Sequence, residues 1–117
     1  MPQQWKAVCN VADIPVLGAR VVKRAVKPDV AIFRTSEDKI FALLDRCPHK
    51  GGPLSQGIVF GERVACPLHN WNIQLDSGSA VSPDEGCTQR FSVKVEEGVV
   101  YLDEVEMNTL AIEVTAA

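Results

Sequence analysis

The segment at residues 47–71, CPHKGGPLSQGIVFGERVACPLHNW, limits the folds open to this chain because it pairs cysteines with histidines. Both of the chain's two histidines lie in it, His49 two residues after Cys47 and His69 three residues after Cys66. Each Cys-His pair follows a β-type run, so both pairs can be held on loops that project from one sheet. The sixteen residues between His49 and Cys66 can form a hairpin that brings the two loops face to face. Two thiolates and two imidazoles arranged in this way predict a metal centre.

Two kinds of metal centre accept this set of ligands. Zinc binds two cysteines and two histidines in a tetrahedron, but its usual sequence pattern groups like ligands together. A [2Fe-2S] cluster with asymmetric ligation needs the mixture found here, since one iron takes both cysteines and the other takes both histidines. Each loop would then give one ligand to each iron. The mixed pattern favours the cluster and leaves a zinc-stabilised interaction module as the alternative.

The residues around the ligand pairs suit a cluster. Gly51 and Gly52 would let backbone amides approach the sulfides with no Cβ in the way. Pro48, Pro53 and Pro67 would stiffen the two loops.

Size, charge and composition narrow the class of protein. A chain of 117 residues is predicted to form one domain, residues 1–117. The net charge of −3 argues against nucleic acid as a partner, because such binders usually carry a basic face. The segment MPQQWKAVCN shows no secretory signal, and no apolar run approaches the roughly 18 residues that span a bilayer. We therefore expect a cytoplasmic protein without a membrane partner, in a compartment where reduced cysteines favour metal ligation over disulfides.

Short runs rich in Val, Ile and Phe, separated by turn residues, predict an all-β domain of about eight to ten strands. GARVVKRAV, DVAIFRT and KIFALLD are such runs, and the polar SEDK between the last two predicts a hairpin loop. Turns are also expected at three dipeptides, and the first of them is typical of a type II′ turn. They are Gly61-Glu62, Ser77-Gly78 and Glu97-Gly98.

Two segments near the C-terminal end are read from their apolar spacing. Phe91, Val93 and Val95 alternate with polar residues, which predicts one half-buried strand. The tail at residues 104–117 fits either a closing strand through its apolar residues or a loosely held end. Those apolar residues are Leu110, Ile112 and Val114.

The pattern Cys-x-His, spacer, Cys-x-x-His resembles that of the Rieske family, and the resemblance covers roughly residues 5–103. It implies an antiparallel β-sandwich with a small cluster-binding subdomain, at about residues 45–75. It also implies a [2Fe-2S] cluster with the two cysteines on one iron and the two histidines on the other. The implied ligands are Cys47, His49, Cys66 and His69.

Within that family, three segments resemble the small subunit of assimilatory NAD(P)H-dependent nitrite reductase: CPHKGGPLSQG, CPLHNWNIQLDSGSAVSPDEGC and VKVEEGVVYL. The most specific pieces are Asn70-Trp71 after the second histidine and PDEGC at residues 83–87. The resemblance implies a large partner subunit with flavin, a four-iron cluster and sirohaem, which together reduce nitrite to ammonia. This chain would carry electrons and hold no catalytic residue. The alternative within the family is a ferredoxin that serves an aromatic-ring-hydroxylating dioxygenase.

For the remaining cysteines and one tryptophan, a packing role is weighed beside a functional role. Cys9 and Cys87 are expected to be two separate small buried hydrophobes rather than a redox pair. Trp71 either shields the cluster from water or simply fills core space.

Departures from the high-potential members of the family bear on the redox potential. Those members carry an extra cysteine in each loop, joined as a disulfide, where this chain has Gly52 and Leu68. They also carry a serine and a tyrosine that donate hydrogen bonds to the cluster, where this chain has Trp71 and Ile73. Fewer hydrogen bonds to the sulfurs stabilise the more negative reduced state less, which lowers the potential.

We therefore predict a reduction potential near the low end of the Rieske range, on the order of −150 mV. Protein-film voltammetry or a redox titration followed by the visible absorbance would measure it. A potential above about +100 mV, in the upper half of that range, would contradict the prediction.

Overall fold

The structure, a computed structural model, describes residues 4–23, 29–47, 53–67, 71–81 and 86–109, with the backbone alone at 108 and 109. Within these residues the chain forms ten strands, two 3-10 turns (Val11–Asp13 and Leu54–Gln56) and one α-helix. The strands are β1 (Trp5–Asn10), β2 (Gly18–Val22), β3 (Val30–Arg34), β4 (Ile40–Leu44), β5 (Ile58–Phe60), β6 (Arg63–Ala65), β7 (Asn72–Gln74), β8 (Arg90–Phe91), β9 (Val93–Glu96) and β10 (Val99–Asp103). The helix is α1 (Glu104–Thr109).

The strands pair into three antiparallel sheets. A central sheet has the order β2-β3-β4-β8, an outer sheet has the order β1-β10-β9, and a small sheet has the order β5-β6-β7. The predicted antiparallel all-β fold is confirmed. The small sheet lies within the segment for which the sequence predicted a separate subdomain, about residues 45–75.

The central sheet is covered on both faces. Along β3, alternate side chains enter two different cores, with Ala31 and Phe33 in one and Val30 and Ile32 in the other. The cysteine core, between the central and small sheets, consists of Ala31, Phe33, Leu43, Cys47, Leu54, Val59, Val64, Cys66, Ile73 and Leu75. The body core, between the central and outer sheets, consists of Ile14, Val30, Ile32, Ala42, Leu44, Phe91, Val100, Leu102 and Met107. Burial on both sides explains why β3 reads as a continuous apolar run instead of an alternating one.

The predicted hairpins are present. SEDK joins β3 to β4, and Gly61-Glu62 joins β5 to β6 with a φ of +55° at Gly61. A positive φ at the first turn position, and not at the second, fits the predicted type II′ turn. Glu97 and Gly98 have φ values of +49° and +76° in the turn between β9 and β10.

The segment that was predicted as one strand from Phe91 onward is two strands in different sheets. Phe91 lies in β8 on the central sheet and is buried, whereas β9 belongs to the outer sheet and Val95 is 44% exposed. The break is at Ser92, whose backbone N–H and Oγ donate to the Glu106 carboxylate at 2.7 and 2.9 Å. This side-chain partner lets the chain cross from one sheet to the next.

The tail begins as a helix, which neither of the two alternatives predicted. Oδ1 of the buried Asp103 accepts the backbone N–H groups of Val105 and Glu106 at 2.9 and 3.2 Å, the bonds of an N-cap. The apolar residues of the predicted closing strand, which are Leu110, Ile112 and Val114, lie outside the described residues.

Substituting Asp103→Ala should lower the free energy of unfolding by about 1–2 kcal/mol, because two N–H groups at the start of α1 lose their acceptor. Urea unfolding followed by tryptophan fluorescence would measure the change. Glu104→Ala is the matched control, since it removes a neighbouring carboxylate and leaves the cap in place. Equal midpoints for Asp103→Ala and wild type would show that the cap contributes nothing.

Candidate metal centre

The two loop cysteines come together in the fold. Cys47 lies just beyond β4 and Cys66 directly follows β6, so one comes from the central sheet and the other from the small sheet. Each is 1% exposed, and both belong to the cysteine core. Neither forms a disulfide, so both sulfur atoms can serve as ligands to a metal. The structure thus brings together two of the four predicted ligands.

The other two predicted ligands, His49 and His69, lie outside the described residues. So do the flanking loop positions at 48, 50–52, 68 and 70. Among the described residues no three His, Cys, Asp or Glu side chains gather as a metal site. That outcome is expected when both histidines lie beyond them, and the four-residue ligand set stays a prediction.

The base of the first loop is closed by side chains. Asp45 accepts two hydrogen bonds from Ser55, one from the backbone N–H to Oδ1 at 2.7 Å and one from Oγ to Oδ2 at 2.8 Å. Sequence reasoning missed this pair, which brackets Cys47. The only sequence hint is Pro53, directly before the 3-10 turn that carries Ser55.

The base of the second loop is closed by the backbone. The N–H of Cys66 donates to the carbonyl oxygen of Trp71 at 2.6 Å. The Trp71 side chain is half-buried and packs against the cysteine core. The packing role expected for Trp71 is thus present, and shielding of a cluster remains a prediction.

The remaining cysteines differ from expectation. Cys87 is exposed, in an isolated bridge with Ser79, so the prediction that it is buried was wrong. Cys87 belongs to neither of the two cores, and it is the next residue, Thr88, that is buried. Cys9 is half-buried in β1, and burial raises the pKa of its thiol, with Arg20 opposing the shift. The two cysteines form no disulfide and lie in separate parts of the fold, as expected.

A surface ion pair joins the small sheet to the central sheet. Lys39, after the β3–β4 turn, donates from Nζ to Oε2 of Glu62, in the β5–β6 turn, at 2.7 Å. The hydrogen bond and the charge of Glu62 raise the pKa of Lys39. Because both side chains are about half exposed, this pair contributes little to stability.

Comparison with known proteins decides between the two kinds of metal centre. The family model of the Rieske [2Fe-2S] domain matches residues 4–96. The chain belongs to this family. Its cofactor is a Rieske-type [2Fe-2S] cluster with cysteine and histidine ligands, and it is an electron-transfer domain of an oxidoreductase system. The zinc alternative is set aside.

Similar proteins include ferredoxins and nitrite reductase small subunits. Ferredoxin CarAc of Metapseudomonas resinovorans is 33% identical over 103 residues, which are 87% of this chain and 95% of CarAc. One chain in the solved complex of oxygenase and ferredoxin in carbazole 1,9a-dioxygenase matches 94% of this chain over its own full length, at 29% identity and a TM-score of 0.77. The E. coli protein NirD matches 86% of this chain and 96% of its own, at 27% identity and a TM-score of 0.73. The family domain also occurs inside longer oxygenase components, of which this chain spans less than a third.

The chemistry of the described residues fits the cluster. Two cysteines that form no disulfide lie in one buried apolar core, on loops whose bases are closed by hydrogen bonds. Such a setting would keep water away from iron–sulfur bonds formed there and would limit movement of the two cysteines. In the part of the chain that the structure describes, no helix is long and apolar enough to cross a membrane.

Close packing at Gly57 offers a test of how the small sheet positions Cys66. A Cβ at this position would meet the carbonyl oxygen of Ala65, directly before Cys66. We expect Gly57→Ala to lower the free energy of unfolding by about 1–3 kcal/mol, as overpacking does, and to reduce the iron bound per chain. Urea unfolding and iron analysis of the purified protein measure the two effects.

Gly61→Ala is the control, because that position has open space and carries only the strain of its positive φ. It should keep its iron. A Gly57→Ala protein with wild-type stability and full iron would contradict the prediction.

Proposed function

We propose that this protein is the small Rieske subunit of a cytoplasmic assimilatory nitrite reductase, which reduces nitrite to ammonia with electrons from NAD(P)H. The observation that carries the proposal is the pair of sequence pieces Asn70-Trp71 and PDEGC at residues 83–87. Both resemble the small subunits of that enzyme. The likeness to NirD, a nitrite reductase small subunit, extends over 96% of that chain and supports the proposal. Each piece lies partly outside the described residues, so this support comes from sequence.

We assign the cluster to Cys47, His49, Cys66 and His69, with the two cysteines on one iron and the two histidines on the other. Three observations support the assignment: the two cysteines share one buried core, both loops are closed at their bases, and the chain has no other histidine. When bound, the cluster accepts and gives up one electron at a time. The protein's part is to hold the ligands, exclude water around the thiolates and leave the histidine side accessible to a partner.

The proposed domain organisation is a single Rieske domain over residues 1–117, with a cluster-binding subdomain at about 45–75. Within that subdomain the structure describes the small sheet and the two cysteines. The described body, formed by the central and outer sheets, would serve as the scaffold.

Reduction of nitrite to ammonia needs six electrons, and this chain carries no nucleotide-binding glycine motif. The partner would therefore be the large subunit, which in this family carries flavin, a four-iron cluster and sirohaem. The small chain would act as an electron-transfer component of that enzyme and not as a catalyst by itself.

A second candidate is a ferredoxin that carries electrons to an aromatic-ring-hydroxylating dioxygenase. The 33% identity with CarAc over 95% of that protein favours it. The two candidates share the cluster and its ligands and differ in the partner.

Nitrite-dependent oxidation of NAD(P)H by the large subunit, with and without this chain, tests the leading proposal. We expect the wild-type chain to restore turnover and Cys47→Ser to bind the large subunit without restoring it, because that variant lacks the cluster. Size-exclusion chromatography of the mixture checks binding. Cys87→Ser is the matched control, since it removes an exposed thiol outside the cysteine core and should behave as wild type.

If both the wild type and Cys47→Ser restore turnover, the chain is a structural subunit and the cluster is off the electron path. If neither changes turnover, while the reduced chain passes electrons to a ring-hydroxylating oxygenase, the ferredoxin candidate replaces the leading one.

A further inference from the structure

We infer that Asp45 and Ser55 form a clamp that positions the first ligand loop and sets how firmly the protein holds its cluster. Both are positioning residues that act through the loop between them. The inference rests on the assignment of Cys47 as a ligand in the proposed function. It does not depend on which partner the protein serves.

The clamp is a two-point contact across the loop. Asp45 and Ser55 are ten residues apart, and each carboxylate oxygen accepts one bond, from the Ser55 N–H at 2.7 Å and from its Oγ at 2.8 Å. Hydrogen bonds to an ionised acceptor are about twice as strong as those between neutral groups. Both residues are half-buried, so water competes with these bonds less than at an open surface.

Each end of the clamp is anchored to the scaffold. The N–H of Asp45 donates to the carbonyl oxygen of Asp29, beside the start of β3, at 2.9 Å. Ser55 lies in the 3-10 turn Leu54–Gln56, where Leu54 is fully buried in the same core as the two cysteines. The clamp therefore joins two fixed points and closes the loop that leaves the scaffold between them.

The two ligand loops differ in how they are closed. The second is short and is closed by the backbone bond from Cys66 to Trp71. The first is longer, and the bonds that bridge its described ends come from side chains. Gly52 and Leu68 rule out a disulfide between the loops, so among the described residues the bonds that bridge the first loop are those between Asp45 and Ser55.

The same pair of residue types recurs in the body of the protein and supplies a matched control. The Glu106 carboxylate accepts hydrogen bonds from the backbone N–H and from Oγ of Ser92 at 2.7 and 2.9 Å, so it too binds a serine through two bonds. This second pair joins α1 to the link between β8 and β9, in the body of the protein. Its loss should weaken the fold without loosening a ligand loop.

The test measures the rate at which the oxidised protein loses iron to a chelator, followed by the visible absorbance of the cluster. We expect Asp45→Ala to lose iron roughly tenfold faster than wild type, and Ser55→Ala to lie between the two, because it removes one of the two bonds. Ser55→Thr keeps the hydroxyl and should stay close to wild type. In the Asp45→Ala background, Ser55→Ala should add nothing, since the acceptor is already gone.

Glu106→Ala should change the rate of iron loss less than twofold while lowering the urea midpoint. The electron paramagnetic resonance line of the reduced Asp45→Ala protein should also be broader than that of Glu106→Ala, because a loosened loop gives a spread of ligand geometries. Equal rates for Ser55→Ala and wild type, or equal acceleration by Asp45→Ala and Glu106→Ala, would overturn the clamp.

Cys47→Ser separates this inference from the ligand assignment. If Cys47→Ser binds no cluster while the clamp variants match wild type, the clamp is wrong and the assignment stands. If Cys47→Ser keeps a full cluster, the assignment is wrong, and the clamp inference falls with it whatever the other rates.

Discussion

Strand β3 is buried on both faces, and through it the two cores of the molecule share one sheet. Val30 and Ile32 enter the body core, and Ala31 and Phe33 enter the cysteine core, each with 0% of its surface exposed. Full burial of a Val, Ile or Phe side chain contributes about 1.5–3 kcal/mol. One strand thus joins the scaffold on one side to the small sheet and the two buried cysteines on the other.

The sequence was most informative where chemistry is local. The two Cys-His pairs predicted a metal centre by residue type and spacing, and family membership confirmed the cluster. The turns at Gly61-Glu62 and Glu97-Gly98 were readable because positive φ angles select particular residues. The run at β3 was readable as a strand because apolar residues in succession fit a sheet covered on both sides.

The features that the sequence did not predict depend mostly on tertiary contacts. The break at Ser92 depends on Glu106, fourteen residues away, which no local pattern reveals. The clamp between Asp45 and Ser55 is invisible in sequence for the same reason. The start of α1 could have been predicted, because Asp103-Glu104-Val105-Glu106 is an acidic N-cap pattern. The helix itself has only six residues, which are too few to show a helical period. Cys87 was misjudged because the general tendency of cysteine to be buried says nothing about a segment at the edge of the fold.

Cofactor and partner are specified by different parts of such a protein. The cofactor depends on a few ligands and on a buried core, both of which leave a strong mark on sequence and packing. The partner depends on the outer surface, where substitutions cost little stability and the same domain serves carriers, subunits and longer oxygenases. This is why membership of the family establishes the cluster, while the choice between nitrite reductase and ring-hydroxylating dioxygenase is a proposal.

Ligation of the cluster by His49 and His69 can be measured by pulsed electron paramagnetic resonance of the dithionite-reduced protein, grown with ¹⁵N-labelled histidine. We expect strong couplings from two histidine nitrogens, with loss of the cluster signal in His49→Ala and in His69→Ala. A reduced cluster without histidine couplings, or one that survives in both variants, would contradict it.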